Sequence, residues 1–419
     1  MRFKIRSTII FLSLFLITCG GGGGGSPTES TSSGSISSQT HTLETYGLKS
    51  FELIAISSGN TITFSVASQP SHGQASVSGN IATYTSNENY VGLDSFQVLA
   101  QSNEESQLIT ISIDVFYNPY RDYKITNVQQ KSITYTPDSI NGGYTIYTCQ
   151  YNGIEREFLV YLPNGINPYH KNKLPLLMAF HGHGEDVNPY DLIDVLERIK
   201  KYNLIYVGPG GLEGTDEEAE AHPPAGTTGW NYFYPGIRNG NDDVGFVNAL
   251  INYIHDNYSI SHKKIFISGF SSGGTFVPVM GSENELIDGV QSGGSVMHTY
   301  YTYQYEQPIK FQVYKGTADE WHPYEYTEEQ PTLLGVEEGM IMLKNQKTCS
   351  DTTRVTLPDL NGDGNLTERL YTDDCTDGSI FEAFKLINWT HIEPWGLDYS
   401  LEAQAADINM FDLLGQMIN

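Results

Sequence analysis

The 419-residue chain is short of positive charge: 23 Lys and Arg stand against 49 Asp and Glu, a formal net charge of −26. Phosphate backbones need Lys and Arg, so this balance excludes nucleic acid as a partner. A solvated acidic surface accounts for the charge without any cation. Long apolar runs are equally scarce. The run "IIFLSLFLI", Ile9–Ile17, is too short to span a bilayer, and no other segment reads as a membrane span. Cysteine is rare as well: there are four, with no C-x-x-C and no Cys/His cluster, which argues against a zinc site.

What is present begins at the N-terminus. Arg2, Lys4 and Arg6 precede the apolar run, and "LITC" ends it at Cys19, followed by Gly20–Gly25. This resembles a bacterial lipoprotein signal, which implies removal of residues 1–18 and a lipid on Cys19 that would hold the chain at the outer membrane. Thr18 stands where Gly, Ala or Ser is usual, so ordinary secretory cleavage stays open. Export would expose the chain to an oxidising compartment. There Cys349 and Cys375 can pair at the base of a hairpin built from "TTRVTL", the turn-rich "PDLNGDGN" and "LTERLYT". Such a closure is worth roughly 3 kcal/mol in the chain-entropy model. Cys149, in the strand-like "YTIYTCQY", reads as a buried thiol.

Composition then divides the chain. Residues 19–42 are a Gly/Ser/Thr tether. Residues 43–117 are short alternating runs punctuated by Gly, Asn and Pro, which predicts a small all-β sandwich of immunoglobulin size. The stretch "QPSHGQASVSGNIATYTSNENYVGLDSFQV" resembles the cadherin-like, immunoglobulin-like repeats of bacterial surface proteins. That resemblance implies that Tyr84 fills the core and that Gly92-x-Asp94-x-Phe96 opens a late strand. A spacer role is favoured over adhesion. From residue 118 to 419 strands alternate with helices, which predicts a doubly wound α/β domain. Helices are expected over "PYDLIDVLERIKKY" and "DDVGFVNALINYIHDNY", the second capped by Asp242 or Asp243.

The chemistry centres on "KIFISGFSSGG", Lys264–Gly274. A near-continuous apolar strand runs into G-x-S-x-G and then a helical stretch, the context a nucleophile elbow requires. Ser271 is the expected nucleophile, and the N–H of Ser272 one donor of an oxyanion hole at the helix start. A second donor is expected from the loop after the strand "LLMAF", where Gly182 lets the backbone N–H of His183 approach. The pair His181 and His183 lacks a third ligand at recognisable spacing, so a loop shaping the hole is preferred to a metal site. An acid and then a histidine should follow the serine. Asp319 in "VYKGTADEWHPY" and His391 in "KLINWTHIEPW" each fall just past a strand, with Glu320 a weaker alternative acid.

Several motifs in this order are similar to the polyhydroxybutyrate depolymerase and feruloyl esterase group of α/β-hydrolases: "EREFLVYLP", "PLLMAFHGHG", "GWNYFYP", "NDDVGFVNALINYI", "KIFISGFSSGG", "YKGTADEWHPY", a Cys pair and "NWTHIEPW". The resemblance implies an α/β-hydrolase fold, a triad of Ser271, Asp319 and His391, and a role for Cys349 and Cys375 as the family's pair. It implies an ester substrate, polymeric or small, with no cofactor and no metal. Ile392-Glu393-Pro394-Trp395 departs from the group's usual Pro-containing pattern after the histidine, which alters the pocket wall. Trp230, His322 and Trp395 are candidate pocket residues, and the Tyr-rich stretch His298–Pro308 is expected at the mouth. Asp359, Asn361 and Asp363 resemble the start of a calcium loop, yet Leu370 stands where its bidentate acid belongs, which favours a plain hairpin tip. A serine peptidase of the same fold and a glycan-binding surface protein remain the alternatives.

Overall fold

The computed structural model describes residues 36–38, 41–56, 61–131, 144–163, 173–187, 200–214, 227–231, 241–299, 301–329, 332–360, 362–393, 408 and 410–418. The signal, Cys19, most of the tether and all but the last three residues of the helix expected over 189–202 lie outside the described residues. Two β systems follow one another.

The first is a sandwich of β1 (His41–Thr45), β2 (Leu48–Glu52), β3 (Thr63–Ser68), β4 (Gly73–Ser78), β5 (Ile81–Ser86), β6 (Gly92–Gln101) and β7 (Ser106–Val115). One sheet has the order β1-β7-β6-β3 and the other β2-β5-β4. Pairing starts inside the segment read as tether: Ser37 and Ser38 pair with Ile56 and Ala55, and from His41 β1 runs parallel to β7. Alternation points Phe51, Tyr84, Phe96, Val98, Ile111 and Ile113 into one core. Asp94 ties the motif together: its carboxylate accepts from Ser71 N (3.0 Å), His72 N (3.0 Å) and the Tyr84 hydroxyl (3.0 Å).

The second system is an eleven-stranded sheet. Its strands are β8 (Thr126–Gln130), β9 (Tyr144–Tyr151), β10 (Ile154–Tyr161), β11 (Leu174–Phe180), β12 (Ile205–Pro209), β13 (Ile260–Phe270), β14 (Gly289–Gly293), β15 (Lys310–Gly316), β16 (Thr353–Thr356), β17 (Thr367–Thr372) and β18 (Ile380–Leu386). The order is β8-β9-β10-β12-β11-β13-β14-β15-β18-β17-β16. The six strands from β12 to β18 are parallel. The described helices are α1 (Asp243–Asn257), α2 (Ser272–Glu283), α3 (Val336–Lys347) and α4 (Met410–Ile418). Apolar side chains fill both faces of the parallel strands, as the unbroken runs of "FISGF" and "LLMAF" require. None of the described helices is long and apolar enough to cross a membrane.

Local choices follow from chemistry. Asp242 rather than Asp243 caps α1, accepting from Gly245 N at 2.8 Å. Asp243 instead turns inward to a buried ion pair with Arg156 at 2.7 Å. The hairpin β16–β17 extends the sheet edge, with the Cys349–Cys375 disulfide formed beneath it. At its tip, Asp359 accepts from Gly362 N and Gly364 N, and Asp363 from Asn365 N, so their carboxylates serve the turn's own backbone. Asn361 lies outside the described residues. Cys149 is buried, which pushes its thiol up to about 12.

The sandwich is seated on the α/β domain through buried groups. Lys49 of β2 is 3% exposed and reaches across to the end of α1, donating to the carbonyls of His255 (2.8 Å) and Tyr258 (2.7 Å). A cation there meets the negative end of the helix dipole. Tyr46 packs on His255 with ring centroids 4.0 Å apart, Phe116 stacks on His262 at 3.5 Å, and Glu44 pairs with His262 at 2.7 Å. A free spacer would not bury a lysine this way. Burial pushes Lys49 down to about 8. Lys49→Met keeps the stem and strands two helix-end carbonyls, so it is expected to cost about 2–4 kcal/mol. Thermal unfolding followed by circular dichroism should show a lower midpoint and a sandwich transition separated from that of the α/β domain. An unchanged single transition would show that the contact is incidental.

Candidate active site

The elbow forms because two residues around Ser271 have no side chain. A Cβ on Gly269 would lie 2.4 Å from the Gly273 carbonyl, and one on Gly273 would lie 2.2 Å from the Phe180 oxygen and 2.8 Å from that of His181. These approaches bring β13, the start of α2 and the end of β11 together at the carboxyl edge of the sheet. Ser271 itself adopts φ 52° and ψ −115°, a conformation that favours glycine. Its N–H donates to Gly293 O at 2.9 Å and its carbonyl accepts from Thr275 N at 2.9 Å, which holds the strained residue in place.

The loop after β11 supplies the other wall. His181 Nε2 accepts from Gly211 N (2.8 Å), so Nδ1 carries the proton and donates to Gly182 O (2.8 Å). Burial holds this imidazole below its ordinary range and hence neutral. His181 is therefore a brace for the loop. The His183 N–H has no acceptor among the described residues, and the Ser272 N–H, first in α2, has none within its helix. Both expected donors are thus unspent. The His183 ring points away to Thr227 Oγ1 at 2.9 Å.

Trp230 corrects an expectation. It does not line the pocket mouth but is fully buried, packed on Phe180, Phe276 and His181. Its Nε1–H donates to His181 O (3.0 Å), and its backbone N–H to Ser272 Oγ (3.3 Å), so it ties the loop after β11 to the elbow. The Tyr-rich stretch is likewise no open mouth: Tyr303 and Tyr305 are each 2% exposed, and His298 is buried beside them. Trp395 lies outside the described residues.

The acid and histidine sit on loops after β15 and β18. His391 Nδ1–H donates to Asp319 Oδ2 at 2.6 Å. Asp319 Oδ1 accepts from the N–H groups of Trp321 (2.9 Å) and His322 (3.0 Å), and Oδ2 also accepts from the Lys315 ammonium. Burial works against the Asp319 charge, but the hydrogen bonds from His391, His322 and Lys315 outweigh it and hold the carboxyl far below the usual carboxylate range. Glu320, the alternative acid, has no such hydrogen bonds among the described residues and is exposed. Phe270, the residue before Ser271, packs on the His391 ring at 4.9 Å. The Gly293–Gly294 segment links the halves of the site, accepting from Ser271 N through one carbonyl and from Lys315 Nζ and His322 Nδ1 through the next.

His322 stands edge-on to His391 with centroids 5.7 Å apart. Burial, and then the Lys315 charge, push it down to about 4, so its Nδ1–H donates to Gly294 O and Nε2 is left as an acceptor. Trp321 is 74% exposed and Ile392 39% exposed, a pair of apolar side chains on the two loops that carry Asp319 and His391. Among the described residues no group of His, Cys, Asp and Glu is placed to hold a metal ion. Two contributors escaped sequence reading: the Gly293–Gly294 strap, and Lys315. The lysine's signal was available as a charge closing an apolar strand four residues before Asp319.

Comparison with known proteins finds the bacterial Ig domain model on residues 31–115. No curated protein matches the chain in sequence. Among solved structures, a ferulic acid esterase is 17% identical, covering 42% of this chain and 79% of its own, with a TM-score of 0.34. An S-formylglutathione hydrolase from Agrobacterium tumefaciens is 13% identical over 70% and 98% of the two chains, with a TM-score of 0.39. Acetyl Xylan Esterase 1 from Thermoanaerobacterium sp. JW/SL YS485 is 10% identical over 71% and 90%, with a TM-score of 0.36. Likenesses this weak decide nothing about chemistry. The strand order and the elbow give the second system the α/β-hydrolase fold, and the bacterial Ig domain model covers the sandwich before it.

Proposed function

We propose that the protein is an exported serine carboxylic-ester hydrolase. One observation carries the reading: Ser271 is held at positive φ on a strand-to-helix turn, at the sheet edge where the His391–Asp319 pair stands. A serine hydroxyl is a weak nucleophile until a base takes its proton. In this reading Ser271 Oγ attacks the ester carbonyl and His391 Nε2 accepts its proton. Asp319 holds the imidazole in the tautomer with the proton on Nδ1 and stabilises the cation that forms. The N–H groups of His183 and Ser272 receive the oxyanion, each worth about 3 kcal/mol of barrier in comparable sites. The imidazolium then protonates the leaving alcohol, and water repeats the sequence to release the acid. Every proton passes through His391.

The substrate class proposed is a polyester of the 3-hydroxybutyrate type or a feruloyl or acetyl ester of a polysaccharide. The exposed Trp321 on the Asp319 loop supports an acyl group or polymer large enough to lie against a flat apolar face. The test is turnover of short p-nitrophenyl esters, methyl ferulate, a 3-hydroxybutyrate oligomer and acetylated xylan beside a Ser271→Ala control. Serine-dependent hydrolysis of one or more is expected; equal rates for the two proteins on all four would overturn the reading. Attachment through a lipid on Cys19 belongs to the same proposal. Labelled palmitate should enter the wild-type chain in a bacterial host and be absent from Cys19→Ala. Equal labelling of both would refute the anchor.

A further inference from the structure

Among the described residues, Lys315 is the one cation bonded to the Asp319–His391 pair, and the triad chemistry does not require it. Its side chain is fully buried, near the end of strand β15, and its ammonium spans two acceptors: Asp319 Oδ2 and Gly294 O at 3.0 Å. The oxygen it takes on Asp319 is the one that accepts from His391 Nδ1. Four donors therefore fill the Asp319 carboxylate, two on each oxygen, and it cannot rotate without losing a charged partner. A buried lysine is expensive to keep, and burial lowers it to about 8 against the pull of Asp319. A neutral side chain would have filled this space at lower cost.

We propose that Lys315 is a positioning residue of the hydrolytic site, a buried cation that locks Asp319 toward His391 and balances the charge on their shared oxygen. The proposal rests on the triad reading above. Its consequence is electrostatic. The ammonium offsets the carboxylate's charge on the very oxygen that His391 shares, so removing it changes the field at the imidazole. Other titratable groups in the neighbourhood are His322, neutral and edge-on to the ring, Glu393 two residues along the same loop, and the exposed Glu320 next to Asp319 in the chain.

Lys315→Gln tests the charge while leaving N–H donors for Asp319 and Gly294, and Lys315→Met removes both charge and donors if the amide does not fold. The measurement is the pH dependence of kcat/KM on a p-nitrophenyl ester, run with the rate of fluorophosphonate labelling of Ser271 on the full chain. The acid limb is expected to move upward by about one pH unit, the size of effect one nearby charge exerts. Activity at the acid end should fall about tenfold relative to the plateau. Lys315→Arg, which restores the charge, should return the limb to its wild-type position. A limb unmoved in Lys315→Gln or Lys315→Met, with folding and labelling intact, would reduce Lys315 to packing and overturn the proposal. Absence of labelling in the wild-type chain would instead overturn the hydrolytic reading itself, and this inference with it.

Discussion

Ser271→Gly is expected to destroy turnover and at the same time raise the unfolding temperature. The hydroxyl is the proposed nucleophile, so its removal should cost on the order of 10⁶-fold in kcat, as removal of the serine does in hydrolases of this kind. The stability gain has a separate origin. A non-glycine residue at φ 52° and ψ −115° stores about 1–3 kcal/mol of backbone strain, which glycine relieves. The Ser271 N–H bond to Gly293 O and the α2 hydrogen bond from Thr275 N survive the substitution, because both use backbone atoms. Ser271→Ala provides the contrast: it keeps a Cβ in the same conformation and should lose activity without gaining stability. Urea denaturation of the three proteins, with ester hydrolysis alongside, checks both halves. If glycine were no more stable than alanine, the strain would not be borne by Ser271, and the elbow would owe nothing to its function.

Asp319→Asn should injure both catalysis and folding. In the neutral amide the His391 Nδ1–H loses its anionic acceptor, the tautomer is no longer held, and kcat should fall by about 10⁴-fold. The structural cost arises at Lys315, whose buried ammonium would keep Gly294 O but lose its counter-charge. Breaking one partner out of a buried pair costs about 3–5 kcal/mol. The pH dependence carries the sign. A carboxyl whose folded value lies below its unfolded one adds stability that is present above about pH 4 and is lost as pH falls through the folded value. Wild-type protein should therefore lose stability below about pH 4, and Asp319→Asn should lose less of it over that interval, from a lower starting point. Double substitution with Lys315→Met should recover part of the loss, since both charges then leave together. A double variant no more stable than Asp319→Asn would show that the pair is not coupled.

Much of the architecture was legible because local chemistry and global fold agree. Alternation marked the sandwich strands, and unbroken apolar runs marked strands covered on both faces. The hairpin and its cysteines read as a unit because the turn residues between them allow little else. The candidate triad was legible for a different reason: each member follows a strand closely, so chain order already delivers Ser271, Asp319 and His391 to one edge of a parallel sheet.

Burial and partner choice were not legible. Trp230 and the tyrosines of 301–305 have the composition of a ligand-gripping loop, yet composition does not say which side of a loop meets the core. In the fold Trp230 fills the space beneath His181, and Tyr303 and Tyr305 lie in the interior. The docking of the sandwich through Lys49 joins residues 206 and 209 positions apart, a pairing that no local pattern encodes. The same holds for Lys315, where the i,i+4 spacing to Asp319 was visible but the burial that turns a surface charge into a constraint was not. Sequence by itself determined the two-domain plan, the strand–turn–helix around Ser271 and the order in which Ser271, Asp319 and His391 follow their strands, since each depends on side-chain size and polarity along a short stretch. Which side chains are desolvated, and against whom, only the tertiary structure decided, because desolvation depends on every element packed around a group.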